Sequence, residues 1–219
     1  MKKKEKTSTQ IRQELFVRFP QLVCCRASFD EAFRTLLDCY RKGGKLLVAG
    51  NGGSAADSEH IVGELMKSFL FHRKISDEIE SNLVEYFGEG GAQLAGKLEG
   101  ALPAIPMTSM PALTSAFAND VDAAVSFAQM LFGYGCAGDV FLGISTSGNS
   151  KNIVYALMVA KAKGIRTILL TGGTGGQGIS LADYTICVPE TETFKIQELH
   201  LPVYHALCAM LEAELFQEK

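Results

Sequence analysis

Apolar and polar positions along this chain change period several times, and each change predicts an element. Up to about residue 43 the pattern is helical. Phe29, Phe33, Leu36, Leu37 and Tyr40 share one stripe, Pro20 divides a short leading piece from this stronger one, and Gly43 and Gly44 end it. From there, short apolar runs alternate with helical ones. Residues 45–49 predict a first strand, 50–53 a tight loop, and 54 to about 70 a helix. Residues 104–107 predict a second strand of edge type, because Pro106 cannot donate to a ladder. A helix over 123–134, a strand over 139–144, a loop over 145–150 and a helix over 153–163 follow. Two more strands are predicted at 166–170 and 184–188, with a closing helix over about 194–216. Between 71 and 103, Ile79, Leu83, Val84 and Phe87 suggest one further helix, broken by the glycines at 88, 90 and 91.

Strands alternating with helices imply right-handed βαβ crossovers and a mostly parallel sheet, the α/β class. Ligands of such sheets bind beyond the carboxyl ends of the strands. A chain of 219 residues can bury one full core, and neither a repeat nor a linker marks a second domain.

Composition narrows the partners. Hydrophobic residues are 47% and charged residues 21%, and a net charge of -3 gives no basic face for nucleic acid. No apolar run reaches the ~18 residues of a membrane span. The basic opening leads into Thr7, Ser8, Thr9 and Gln10 where a signal peptide needs an apolar stretch, so a cytoplasmic protein is expected. Six cysteines form no CxxC pair and sit mostly among apolar neighbours, as reduced core thiols do.

Two loops carry candidate binding chemistry. The first, Gly50, Asn51, Gly52, Gly53 and Ser54, has glycines that let the backbone approach a ligand, and it stands where a helix N-terminus offers free N–H groups to an anion. Ser54 and Asp57 have the spacing of a capping box, which would start the helix at Ser54. An ordinary βα turn reads similarly; the dinucleotide fingerprint G-x-G-x-x-G is absent. The second loop, Ser145, Thr146, Ser147, Gly148, Asn149 and Ser150, places four hydroxyls at one strand end, enough to hold three phosphate oxygens. Neither loop ends in the Gly-Lys-Ser/Thr of a nucleotide triphosphate site. A third glycine cluster over 171–178 either walls this site or connects flexibly.

The chain has four histidines, and three bear on the site. His60 and Glu64 lie one turn apart on the helix after the first loop, where they can hold a metal, pass a proton, or simply face solvent. Gln197, His200 and His205 lie on the last helix, with Gln197 and His205 about 12 Å apart along its axis. One ion reaches both only with extended side chains or a kink at Pro202; otherwise one of them serves a neighbouring subunit. His72 is read as a surface residue.

At these residues the chain resembles the sugar isomerase (SIS) domain family, and within it the phosphoheptose isomerases. The matching segments are the Gly50–Asp57 loop with His60 and Glu64, the 143–150 loop, residues 170–173, and Ile196, Gln197, Glu198, Leu199 and His200 with His205. The likeness runs from about residue 30 to 215, interrupted over 71–103. It implies a single SIS domain spanning 1–219, with N-terminal helices over about 1–43, a variable insert over about 71–103, and a flavodoxin-like parallel sheet. It also implies a homotetramer with active sites between subunits.

The resemblance further implies one zinc ion held by His60, Glu64, Gln197 and His205, and proton transfer by Glu64 and His205. Asn51, Gly52, Gly53, Ser54, Ser145, Thr146, Ser147, Ser150 and Gln197 would then contact a phosphosugar. The reaction implied is conversion of sedoheptulose 7-phosphate to glycero-manno-heptose 7-phosphate through an enediol. Relatives that keep the fold as noncatalytic partners of a replication initiator, and isomerases of other sugar phosphates, are the alternatives. Members commonly carry an Asp at the position aligned with Met110, and a shorter segment than 71–103.

Overall fold

Five of the apolar runs become strands of one parallel sheet in a computed structural model that describes residues 6–217; most of the basic opening (residues 1–5) lies outside the described residues. The strands are β1 (Leu46–Gly50), β2 (Ala104–Pro106), β3 (Val140–Ile144), β4 (Arg166–Gly172) and β5 (Tyr184–Val188), in the order β2-β1-β3-β4-β5. This is the flavodoxin-like order, and its switch point falls between β1 and β3. Gly50 pairs with Ile144 at that point, so the two sequence-marked loops leave the sheet side by side. Pro106 lies on the edge strand, where its missing N–H costs no ladder bond.

Strand residues alternate between two cores, as the period of two requires. Leu46, Val48, Val140, Leu142, Ile168 and Leu170 face one core, built with α1 (Ser8–Arg18), α2 (Arg26–Arg41), α3 (Gly53–Met66) and α8 (Thr193–Phe216). Leu47, Ala49, Phe141 and Leu169 face the other, built with α6 (Ser126–Tyr134) and α7 (Lys151–Ala162). The stripe read on residues 29–40 is the core face of α2, where Phe29, Leu36 and Leu37 are buried.

Two local expectations change and a third holds. The helix expected from residue 123 begins as α-helix at Ser126, because the Asp122 carboxylate accepts from Ala124 N and holds 123–125 in a tighter turn. A short helix, α5 (Pro111–Phe117), precedes it; its seven residues are too few to show a stripe. The glycines after Phe87 do break the helix, as expected, and a second helical piece follows the kink. α4 runs Asp77–Ala95, and Gly88 takes a φ of 56° inside it. Tyr86 and Phe87 remain exposed on this helix.

The chain between α3 and α4 is fastened by buried charge. Arg73 and Glu212 are both fully buried and pair at 2.7 Å. Glu212 also accepts from the N–H groups of Phe69 and Leu70, and Arg73 donates to the carbonyls of Glu64 and Leu65 at the end of α3. That end of α3 is therefore held by a side chain eight or nine residues further on.

Candidate active site

Gly50 and Gly52 are glycines for distinct reasons. A side chain on Gly50 would lie 2.4 Å from the Ser54 carbonyl oxygen, and Gly52 takes a φ of 55°. With Gly52 making the turn, α3 starts at Gly53, and the capping box expected from Ser54 and Asp57 does not form. Both residues are already inside the helix: Ser54 is buried, and the Asp57 side chain turns to Tyr204 on α8. Asn51 stays in the loop and exchanges two amide hydrogen bonds with Asn152, at 3.0 and 2.8 Å. This pair ties the first loop to the first turn of α7, just after the second loop.

The second loop is a closed turn. Gly148 N donates to Ser145 O at 3.0 Å, and the Ser145 hydroxyl lies 3.0 Å from that of Ser150. Ser145 is buried, Thr146 and Ser150 are half-buried, and Ser147 is exposed. The third glycine cluster walls this turn. Gly178 N donates to Gly148 O, Gln177 N donates to the Asn149 side chain, and a Cβ on Gly148 would fall 1.9 Å from Gly175 O. Hydroxyls, a turn at positive φ and the N-terminus of α7 thus converge at one strand end, a constellation suited to an anion.

Further along α3, His60 and Glu64 meet His205 of α8. Their ligand atoms all lie within 4.8 Å of one another. His60 Nε2 is 3.1 Å from Glu64 Oε1 and 3.4 Å from His205 Nε2, and Lys67 approaches the other Glu64 oxygen at 3.3 Å. Burial holds His205 below the ordinary imidazole range, His60 adds to this, and Glu64 opposes it. Two imidazoles and a carboxylate so placed are a donor set suited to zinc. α8 runs unbroken through Pro202, and the Gln197 amide lies against Gly53, where a Cβ would sit 2.5 Å from its Nε2. Gly53 and His60 are seven residues apart on α3, about 10 Å. His72 is on the surface beside Glu99, at 3.5 Å.

Sequence comparison decides the family. The chain is 39% identical over 183 residues to a phosphoheptose isomerase of Aneurinibacillus thermoaerophilus, covering 84% of this chain and 79% of that one. It is 40% identical over 181 residues to phosphoheptose isomerase 2 of Campylobacter jejuni, covering 83% and 77%.

The chain belongs to the phosphoheptose isomerase family.

The SIS domain family model matches residues 110–213. The solved structure of a phosphoheptose isomerase from Neisseria gonorrhoeae superposes with a TM-score of 0.70 at 30% identity, over 94% of this chain and 93% of that one. The flavodoxin-like sheet is therefore the family's.

Against phosphoheptose isomerases, this chain's Met110 packs half-buried against the core around Leu47 and Met107. Two further residues join the site. Tyr204 places its hydroxyl 3.1 Å from His60 Nδ1 and 3.2 Å from Asp57 Oδ1. Burial raises Asp57 above the ordinary carboxylate range, with Tyr204 and His60 opposing, and burial likewise raises Tyr204. A sequence signal for Asp57 existed, since it lies three residues before His60 on α3. Tyr204 had none, because no spacing along one helix reveals what the next helix brings to it.

Proposed function

We propose that this phosphoheptose isomerase family member converts sedoheptulose 7-phosphate to glycero-manno-heptose 7-phosphate through an enediol, with Glu64 and His205 moving the protons. One observation carries the reading: His60, Glu64 and His205 gather within 4.8 Å about two turns along α3 from the 50–53 loop, which leaves the sheet beside the hydroxyl-rich turn. A seven-carbon sugar phosphate is anionic at one end and reactive at the other.

Asn51, Gly52, Gly53, Ser54, Ser145, Thr146, Ser147 and Ser150 grip the phosphate end, so that binding energy remote from the reaction positions C1 and C2. Gln197, against Gly53, orients the sugar between the two ends. Glu64 takes the proton from carbon and returns it one carbon along. His205, kept neutral by burial, exchanges the proton on oxygen. When bound, a zinc ion supplies Lewis-acid polarisation of the carbonyl. His60, Glu64 and His205 would hold it, with Gln197 as the fourth ligand.

The whole chain, residues 1–219, is proposed to act as one SIS domain with helices over about 1–43 and an insert over about 71–103. It assembles as a homotetramer with active sites between subunits. Supporting this, a groove of about 490 Å³ opens beside His205, lined by Leu15, Phe19, Phe69, Leu201 and Pro202, where a neighbour can close the site. A cytoplasmic location fits the absence, among the described residues, of disulfides and of any helix long and apolar enough to cross a membrane.

The test is to incubate the purified protein with sedoheptulose 7-phosphate, with and without a chelator, and to follow the aldose. Aldose that disappears with chelation is expected. Binding without turnover, across a panel of ketose phosphates, would leave a noncatalytic sugar binder.

A further inference from the structure

Tyr204 stands between a carboxylate and an imidazole with one proton to give. Its hydroxyl lies 3.2 Å from Asp57 Oδ1 and 3.1 Å from His60 Nδ1. A phenol both donates and accepts, whereas an ionised carboxylate only accepts. Two arrangements are open. Either the hydroxyl donates to Asp57 and accepts from Nδ1–H, or it donates to Nδ1 and leaves Asp57 without a donor.

Burial decides between them. Tyr204 is 1% exposed, and Asp57 Oδ2 is already buried with no partner. Withdrawing the hydroxyl proton would strip this carboxylate of its remaining side-chain donor. Glu64 competes for a proton on the other ring nitrogen, at 3.1 Å, but Glu64 has Lys67 as a second donor at 3.3 Å. Asp57 needs the Tyr204 proton more than Glu64 needs one from His60.

We propose that Asp57, acting through Tyr204, holds His60 in the tautomer with its proton on Nδ1, so that Nε2 presents its lone pair to Glu64 and His205. Asp57 and Tyr204 are then positioning residues for a divalent cation at His60, Glu64 and His205. The order of bonds is carboxylate, phenol, imidazole, cation. Each link fixes the next, in the way an outer partner orients a metal-bound histidine. This deepens the metal part of the reading above and rests on it, while the ring tautomer is a property of the metal-free chain and needs no turnover.

The experiment reads the ring directly. Metal-free protein with 15N-labelled histidine is examined at about pH 8.5, where an ordinary imidazole is neutral, by two-bond proton–nitrogen correlation. A His60→Asn variant assigns the signals. The wild-type ring should show the Nδ1–H pattern. Tyr204→Phe should turn it into a mixture, and Asp57→Leu, which leaves the hydroxyl only Nδ1 to donate to, should turn it into Nε2–H. Zinc affinity, measured by competition with a coloured chelator, should fall about 10–100-fold in Tyr204→Phe. It should fall at least as far in Asp57→Leu.

A wild-type ring protonated on Nε2 overturns the proposal, whatever the variants do. Unchanged zinc affinity in Tyr204→Phe overturns it equally, because a merely structural hydroxyl would change stability and leave the metal alone. A wild-type protein that takes up no zinc removes both the metal reading and the positioning role; the aldose assay still judges the isomerase separately.

Discussion

Two polar groups join α3 to α8, and they follow opposite rules. In the Arg73–Glu212 group every charge has its partners. The guanidinium donates to a carboxylate and to two helix-end carbonyls, and the carboxylate accepts two backbone N–H groups as well. Both residues are fully buried. In the His60–Glu64–His205 group, three electron-pair donors crowd within 4.8 Å, and Lys67 brings a positive charge to Glu64 only from the edge. His60 there remains 43% exposed. Glu64 belongs to both, its carbonyl to the first and its carboxylate to the second. A satisfied buried network holds a fold together. A crowd of donors left open to solvent is arranged for something that arrives from outside.

The comparison breaks most sharply at Glu64 itself. Glu64→Gln keeps the size of the side chain and the carbonyl that Arg73 uses, but it removes the base. Turnover should drop about 10²–10⁴-fold, on the order of 3–5 kcal/mol in the barrier. Thermal stability and phosphosugar binding, read by melting and by titration calorimetry, should hold. Turnover close to wild type would take Glu64 out of the proton transfer.

Arg73→Met tests the other group and should show the reverse pattern. Leaving Glu212 buried without its partner costs about 3–5 kcal/mol of stability, a fall in Tm on the order of 10 °C. The kcat of the protein that remains folded should move far less than in Glu64→Gln. The double variant Arg73→Met, Glu212→Leu removes both charges, so it should be more stable than Arg73→Met alone. If the double variant were no better, the cost would lie in the lost bonds to the α3 carbonyls and not in a stranded charge.

His200 sharpens the contrast by fitting neither rule. It is fully buried on α8, and neither ring nitrogen makes a hydrogen bond of ordinary geometry, although the Thr171 backbone lies close enough to favour the charged form slightly. Burial pushes it down from its ordinary 6.5 to about 4. Between those values the unfolded chain binds more protons than the folded one, so stability falls as pH drops through that window. Above the ordinary value the contribution is complete. The gap corresponds to on the order of 3 kcal/mol. In His200→Leu the loss of stability between neutral pH and about pH 5 should shrink, as read from urea midpoints at the two pH values. An unchanged slope would mean that other groups set the acid limit.

How much of this was legible beforehand follows from what each signal depends on. The sheet was legible because its strands are short apolar runs set between glycine turns, and burial on both faces demands that pattern. Both loops were legible because glycines and hydroxyls at a strand end are local facts. His60 and Glu64 share a turn of one helix, so their pairing could be read. Their meeting with His205 depends on how α8 crosses α3, and the spacing of Gln197 and His205 left that open. Asp57 was read as a cap for its own helix, a role lost once Gly52 took the turn, although its spacing from His60 on the same helix was also in the sequence. Tyr204 and the Arg73–Glu212 pair connect residues 139 or more positions apart, which no local pattern reports. The break at Gly88 was legible from its glycine run, but the helical piece beyond it was not, because a glycine run looks the same whether or not a helix resumes.

The mildest change lies at the anion turn, away from both polar groups. The Ser147 hydroxyl accepts from Asn149 N at 3.2 Å, which leaves its own proton free to point outward, and the residue is exposed. Ser147→Ala therefore removes one donor to a phosphate while Gly148 and the bonds from Gly178 and Gln177 keep the turn in shape. A hydrogen bond traded against water at an exposed site contributes about 1 kcal/mol, roughly fivefold in KM. Because the phosphate is held alike in ground state and transition state, kcat should stay put. Were kcat to fall by the same factor with KM unchanged, Ser147 would be tightening its grip only as the carbons react. The anion turn would then share in the chemistry instead of merely anchoring the far end of the sugar.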